Sequence, residues 1–216
     1  MADRYIPALG HAWLTGLYDP VLRITMREAT FKSRLVAQAD LRPGHRVLDI
    51  GCGTATLTIE IKRSQPAAEV VGLDGDPEVL RRAADKVATA GVAVSLDQGL
   101  SDQLPYADDS FDRVVTSLLL HHLTTENKRR TLAEIRRVLR PGGQVHIADW
   151  GRPQDPVMRG AFFLVQLLDG FATTADNVDG RIPAMLGDAG LSEVRETQRL
   201  RTIFGTLSLY RAERSP

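Results

Sequence analysis

A doubly wound α/β fold is what this sequence predicts, on three observations. Short apolar runs alternate with amphipathic segments from Arg46 to Ala148, and the later runs are apolar on both faces. The first run breaks at once into two glycines, Gly51-Cys52-Gly53. Alternating strands and helices build a mostly parallel sheet. Strands apolar on both faces suit a sheet covered by helices on either side. The chain of 216 residues is long enough for one such domain and short for two.

Arg46–Ile50 reads as the first strand and Thr54–Gln65 as the first helix. Val70–Leu73 is the second strand, ending at Asp74. Asp76 and Pro77 then supply a capping carboxylate and a proline at the first helical position. That helix carries Leu80, Ala83, Ala84 and Val87 on one face and stops at Gly91. Val92–Leu96 is expected as strand three and Phe111–Leu120 as strand four. A helix over Thr125–Leu139 buries Leu132, Ile135, Val138 and Leu139, and Pro141-Gly142-Gly143 ends it ahead of strand five, Val145–Ala148. Met158–Phe171 and Val178–Ala189 read as two further helices. Val194–Gln198 and Thr202–Tyr210 read as an antiparallel hairpin with Ile203, Leu207 and Leu209 inward. The expected division is one domain over 1–216: a helical cap at 1–41, a core at 42–150, a helical insertion at 151–190 and the hairpin at 191–216.

Lys plus Arg equals Asp plus Glu at 27 each, so no global field draws the chain to nucleic acid. One cysteine, Cys52, excludes an intramolecular disulfide and a cysteine-based zinc site. No metal ligand set is expected. Residues 1–5 lack a signal-peptide pattern, and no apolar run reaches the ~20 residues of a membrane span. A cytoplasmic location is the expectation.

Glycines at a strand-to-helix turn let a backbone approach a ligand, because no Cβ intervenes. A nucleotide-like cofactor is therefore expected at Gly51 and Gly53. A dinucleotide fingerprint would need a third glycine where Thr56 stands, and a Walker A lysine is absent. Asp74 lies at the end of strand two, about 20 residues beyond the loop, where a carboxylate can accept both hydroxyls of a ribose.

These stretches, in order, are Val-Leu-Asp-Ile-Gly-Cys-Gly-Thr-Ala (47–55), Gly-Leu-Asp (72–74), Leu-Pro-Tyr-Ala-Asp-Asp-Ser-Phe-Asp (104–112) and Leu-Arg-Pro-Gly-Gly (139–143). Together they resemble the successive motifs of class I S-adenosylmethionine-dependent methyltransferases, in the branch of ubiquinone/menaquinone-biosynthesis-type enzymes (methyltransferase type 11). The resemblance implies a Rossmann-like sheet of seven strands, mostly parallel with an antiparallel C-terminal strand, and S-adenosylmethionine as cofactor. It implies that Asp49, Gly51 and Gly53 line the methionine end, with Cys52 a structural member of the same loop. Asp74 would hold the ribose, with Gly75 and Asp76 near the adenine edge. Gly99, Leu100 and Ser101 would form the adenine-side loop. Leu100 stands where the family often has an acidic residue, which leaves adenine to a backbone N–H and apolar contact, or to Asp97 or Asp102.

Methyl transfer from a sulfonium needs alignment above all, and a base only when the acceptor must lose a proton. His121 and His122 follow strand four, at the end of the sheet where ligands bind, and either can orient or deprotonate an acceptor. Asp149, at the end of strand five, is the third catalytic candidate, with Trp150 and Arg152 nearby. Tyr5, Trp13 and Tyr18 lie in the cap, and Tyr18 is the one expected to reach the cofactor. Lys128, Arg129, Arg130, Arg136, Arg137 and Arg140 read as a solvated basic face. The expected partner is a small-molecule acceptor. The apolar helix at 160–168 keeps a phospholipid or quinone-like acceptor, with peripheral lipid contact, as the alternative. The rival of another class is a cofactor-binding module without transfer activity.

Overall fold

The computed structural model describes residues 28–216; Tyr5, Trp13 and Tyr18 lie outside them. In chain order the elements begin with α1 (Glu28–Gln38), β1 (Arg46–Ile50), α2 (Thr56–Ser64), β2 (Glu69–Asp74), α3 (Pro77–Ala90) and β3 (Ser95–Gln98). There follow β4 (Phe111–Ser117), a 3-10 turn (Leu120–His122), α4 (Thr125–Val138) and β5 (Leu139–Trp150). The last are α5 (Pro156–Asp169), α6 (Phe171–Val178), α7 (Ile182–Asp188), β6 (Ser192–Thr202) and β7 (Gly205–Glu213). The strands form one seven-stranded sheet in the order β3-β2-β1-β4-β5-β7-β6, and only β7 runs against its neighbours. The fold class is the expected one.

Alternate residues of each strand feed opposite layers, because successive side chains leave a strand on opposite faces. Leu48, Ile50, Val114 and Val145 pack with Leu132 and Ile135 of α4 and Ile182 and Leu186 of α7. Val47, Val70, Val115 and Ala148 pack with Leu35 of α1, Leu57 and Ile61 of α2, and Phe162 and Val165 of α5. The carboxyl ends of β1, β4 and β5 consequently open side by side.

Several boundaries differ from expectation. Strand three is Ser95–Gln98 rather than Val92–Leu96, since only those residues find partners opposite Val71–Asp74. Val92 and Val94 are apolar because they pack against neighbouring clusters, not because they join the ladder. Strand four ends at Ser117, where Leu118 turns to a left-handed φ of 56°. Pro141-Gly142-Gly143 lies within β5 as an irregularity between the Phe111–Leu139 and Arg113–Gln144 pairs. The expected Met158–Phe171 helix stops at Asp169, and Gly170, with φ 97°, redirects the chain into α6. Leu207 and Leu209 face inward as expected, but Ile203 sits in the β6–β7 turn and is 61% exposed. Lys128, read as part of a solvated face, is fully buried and bonds Thr173 O and Asp176 Oδ2.

Candidate active site

The loop after β1 bends through three left-handed residues, Gly51, Gly53 and Ala55, with φ of 69°, 54° and 59°. The N–H groups of Gly51 and Cys52 both donate to Leu73 O, at 2.8 and 3.0 Å, and Ala55 N–H donates to Cys52 O. Gly53 N–H donates to Asp74 Oδ2 at 2.9 Å. The loop thus uses its amides inside the protein instead of turning them outward as a phosphate cradle. A Cβ on Gly53 would meet nothing within 4 Å, whereas one on Gly51 would lie 3.0 Å from the Leu119 side chain. Gly53 therefore borders open space, while Gly51 is required by backbone geometry and close packing. Lys86 of α3 braces the next turn by donating to Thr56 Oγ1 at 2.5 Å.

Asp74 accepts from Gly53 N–H with one oxygen and from Asp76 N–H with the other. Each carboxylate oxygen has a second lone pair, so the group is oriented without being saturated. Gly75 lies between these two carboxylates. The Asp76 carboxylate itself caps α3, accepting from Glu78 and Val79 N–H. Asp49 is buried; its Oδ2 accepts from Thr58 Oγ1 at 2.6 Å, and its Oδ1 is buried without a partner. Burial pushes the Asp49 carboxyl up to about 7. Burial likewise pushes the Cys52 thiol up, far from thiolate chemistry, which agrees with a structural role.

On the adjoining side, Gly99 N–H bonds Asp74 O, and an added Cβ would press to 2.9 Å on Leu73. Leu100 is exposed and bridges to Gln103. Ser101 turns toward α4, its hydroxyl 2.9 Å from that of Thr131. Asp97 accepts from the Tyr106 hydroxyl at 2.9 Å, which commits one of its oxygens inside the protein.

At the carboxyl ends of β4 and β5, the two histidines and Asp149 come together. Asp149 is fully buried and accepts four hydrogen bonds: from Leu120 N–H, Trp150 N–H, Asn177 Nδ2 and His121 Nδ1, the last at 2.8 Å. Burial opposes its charge, yet the His121 partner and these donors hold its carboxyl below the usual range. The His122 ring lies 4.0 Å from that of His121, tilted by 41°, and burial with His121 beside it drives His122 down to about 3. Trp150 meets the His121 ring edge-on at 6.3 Å and Phe162 at 5.3 Å. Arg152 lies instead against Gly180.

Asp169 was not singled out from the sequence, and its Oδ2 lies 3.7 Å from His121 Nε2. Its signal was available: a carboxylate closing an apolar helix opposes the helix dipole, so something other than the helix must favour it there. Asn177 and Thr58 were missed too, and a buried amide or hydroxyl in a helix gives no such sign.

A family model described as a methyltransferase domain matches residues 47–143. The uncharacterized methyltransferase sll0829 of Synechocystis sp. is 32% identical over 187 residues, covering 86% of this chain and 85% of that protein. The chain is a class I S-adenosylmethionine-dependent methyltransferase. The ubiquinone/menaquinone biosynthesis C-methyltransferase UbiE of Bordetella avium is 36% identical over 128 residues, and the matched part spans about half (49%) of its length. In fold, the methyltransferase resembles a SAM-dependent methyltransferase from Aquifex aeolicus at TM-score 0.69 and 18% identity, covering 98% and 100% of the two chains. It transfers methyl groups from S-adenosylmethionine. The open side of Gly53 and the unpartnered Asp49 oxygen fit that cofactor. No helix among the described residues is long and apolar enough to cross a membrane.

Proposed function

We propose that the methyltransferase acts on a small acceptor bearing a weakly acidic hydroxyl, with the donor over Gly53 and the acceptor against His121. The observation that carries this reading is the His121–Asp149 bond, which occupies Nδ1 and leaves Nε2 for the acceptor. Asp49, Gly51, Cys52 and Gly53 form the methionine end, Asp74 takes the ribose hydroxyls, and Gly75, Asp76, Gly99, Leu100 and Ser101 border the adenine. Asp76 contributes there through its backbone, since its carboxylate is engaged in the cap. Bound S-adenosylmethionine supplies an electrophilic methyl group on a sulfonium. Asp149 fixes the imidazole so that the Nε2 lone pair receives the hydroxyl proton. Loss of that proton activates the oxygen, or a carbon conjugated to it, toward the methyl. His122 and Trp150 pack around the imidazole and hold water away from it.

A lipid-tailed or quinone-like acceptor is the second reading, favoured by the exposed apolar stripe of Val157, Phe163, Leu164, Leu167 and Leu168 on α5 and Phe171 beyond it. The division into cap, core, 151–190 insertion and hairpin belongs to the same proposal, with the insertion roofing the acceptor. A cytoplasmic location belongs to it as well, and the single buried Cys52 suits one. Transfer of a labelled methyl from S-adenosylmethionine into a small-molecule extract tests the reading. A labelled product with the native chain, formed at least ~100-fold more slowly with Asp149→Asn, supports it; equal labelling rates by both contradict it.

A further inference from the structure

We infer that His121, His122 and Asp169 form a site for one divalent transition-metal ion, to which the acceptor's oxygen binds. Each offers one ligand atom, and the three atoms lie within 4.8 Å of one another, the only such group of three or more among the described residues. The inference rests on the acceptor placement given above and changes one step of it: the acceptor meets the ion rather than the bare imidazole.

The tautomer of His121 follows from its neighbour. Asp149 takes two backbone N–H groups and the Asn177 amide, so it is an acceptor, and His121 Nδ1 is the atom that carries the proton. In the neutral imidazole Nε2 then presents a lone pair, 3.7 Å from Asp169 Oδ2. An imidazole lone pair, a carboxylate oxygen and a second imidazole thus converge, and a positive centre among them relieves their mutual repulsion. The one fully buried lysine among the described residues, Lys128, is engaged by Thr173 and Asp176 instead.

A ligand's far side also has to be held, and here it is. Metal-binding histidines characteristically donate the other ring N–H to a carboxylate or carbonyl, which fixes the ring and its tautomer. Asp149, held by four donors, does this for His121. Two imidazoles favour a transition ion over magnesium or calcium, and three protein ligands leave coordination positions free. Metal–ligand bonds of ~2.0–2.2 Å bring neighbouring ligand atoms closer than they stand here, so binding draws the three side chains inward. Asp169 can follow because it sits where α5 ends and the Gly170 bend begins.

The ligand chemistry implied is a hydroxyl flanked by a second oxygen, able to chelate the ion. On coordination the hydroxyl proton passes to water, and the oxygen stays on the metal as an anion. Its electron pair, or that of a conjugated carbon, then forms the new bond to the methyl carbon. The carbon–sulfur bond breaks toward sulfur, leaving a neutral thioether, so charge and atoms balance without an oxidant.

Chelator-treated full-length protein, saturated with S-adenosylhomocysteine, is titrated with Co(II), read by visible absorption and calorimetry. One ion per chain should bind, with d–d bands of an imidazole site. Asp169→Asn and His122→Ala should each weaken uptake at least ~100-fold, and Asp149→Asn ~10–100-fold through the ring it positions. Unchanged binding of S-adenosylhomocysteine certifies that the variants are folded. Absence of saturable uptake by the native chain overturns the inference, as does uptake that ignores Asp169→Asn and His122→Ala. If uptake fails while labelled-methyl transfer persists in chelator, the ion is excluded and the imidazole-base reading stands. If metal binds but no transfer to any acceptor occurs, the reading beneath it falls.

Discussion

Asp49 holds one oxygen against Thr58 and leaves the other buried without a donor, with its carboxyl raised to about 7. An ammonium delivered to that oxygen favours the ionised form. Affinity for S-adenosylmethionine should therefore rise as the pH passes upward through about 7. Asp49→Asn should flatten that profile and weaken binding by ~1.5–3 kcal/mol, the range of hydrogen bonds to charged groups, as calorimetry at pH 6 and 8 would read. Asp149→Asn acts at the other pole. It leaves one accepting oxygen where the carboxylate has two, which disrupts the bonds that fix His121, and the transfer rate should fall on the order of 10²–10⁴-fold, the range for a positioned base. Single-turnover kinetics would check this. The turn that needs Gly51 and Gly53 was legible because loop geometry is local to a few residues. Asp169 was not, because its meaning depends on a histidine 48 positions earlier in the chain.

At the scale of elements, α3 is the best-signalled helix: Asp76 caps it, Pro77 opens it and Gly91 ends it with φ 65°. Asp76→Ala should cost about 1 kcal/mol in urea unfolding, and its effect on cofactor affinity should be small because the carboxylate faces the helix N-terminus. Boundaries read less well wherever an apolar residue packs without pairing. Val92 and Val94 carry the composition of a strand, yet the ladder begins at Ser95 because β2 offers its partners only from Val71. Leu139 likewise looked like the end of a helix and is the first paired residue of β5, since the Pro141-Gly142-Gly143 irregularity restarts the register at Gln144. The break at Gly170 escaped notice because the residues on both sides of it are apolar and helix-forming. The same apolar character hid the bend that presents Asp169.

Over the whole molecule, alternation and the terminal hairpin made the sheet legible, while the charged groups buried between layers were not. His146 is fully buried among Gln38, Arg113 and Arg211, and burial together with the two arginines holds it near 3. The unfolded chain takes up a proton near 6.5 and the folded chain does not, so stability is lost as the pH falls from about 6.5 toward 3. This contribution amounts to about 1.4 kcal/mol per pH unit. Urea unfolding at pH 7 and pH 5 should show a loss in the native chain that exceeds the loss in His146→Gln by about 2 kcal/mol. On the proposed reading the sheet also sets a division of labour: β1 and β2, which are paired, would carry the donor end, and β4 and β5, likewise paired, the acceptor end.

Calorimetric titration of S-adenosylhomocysteine into the native chain, Asp74→Ala and Asp149→Asn tests that division most directly. The account predicts that Asp74→Ala weakens binding by ~1.5–3 kcal/mol, about one to two decades, while Asp149→Asn leaves it unchanged. Equal affinity of Asp74→Ala and the native chain, or a comparable loss in Asp149→Asn, would contradict it.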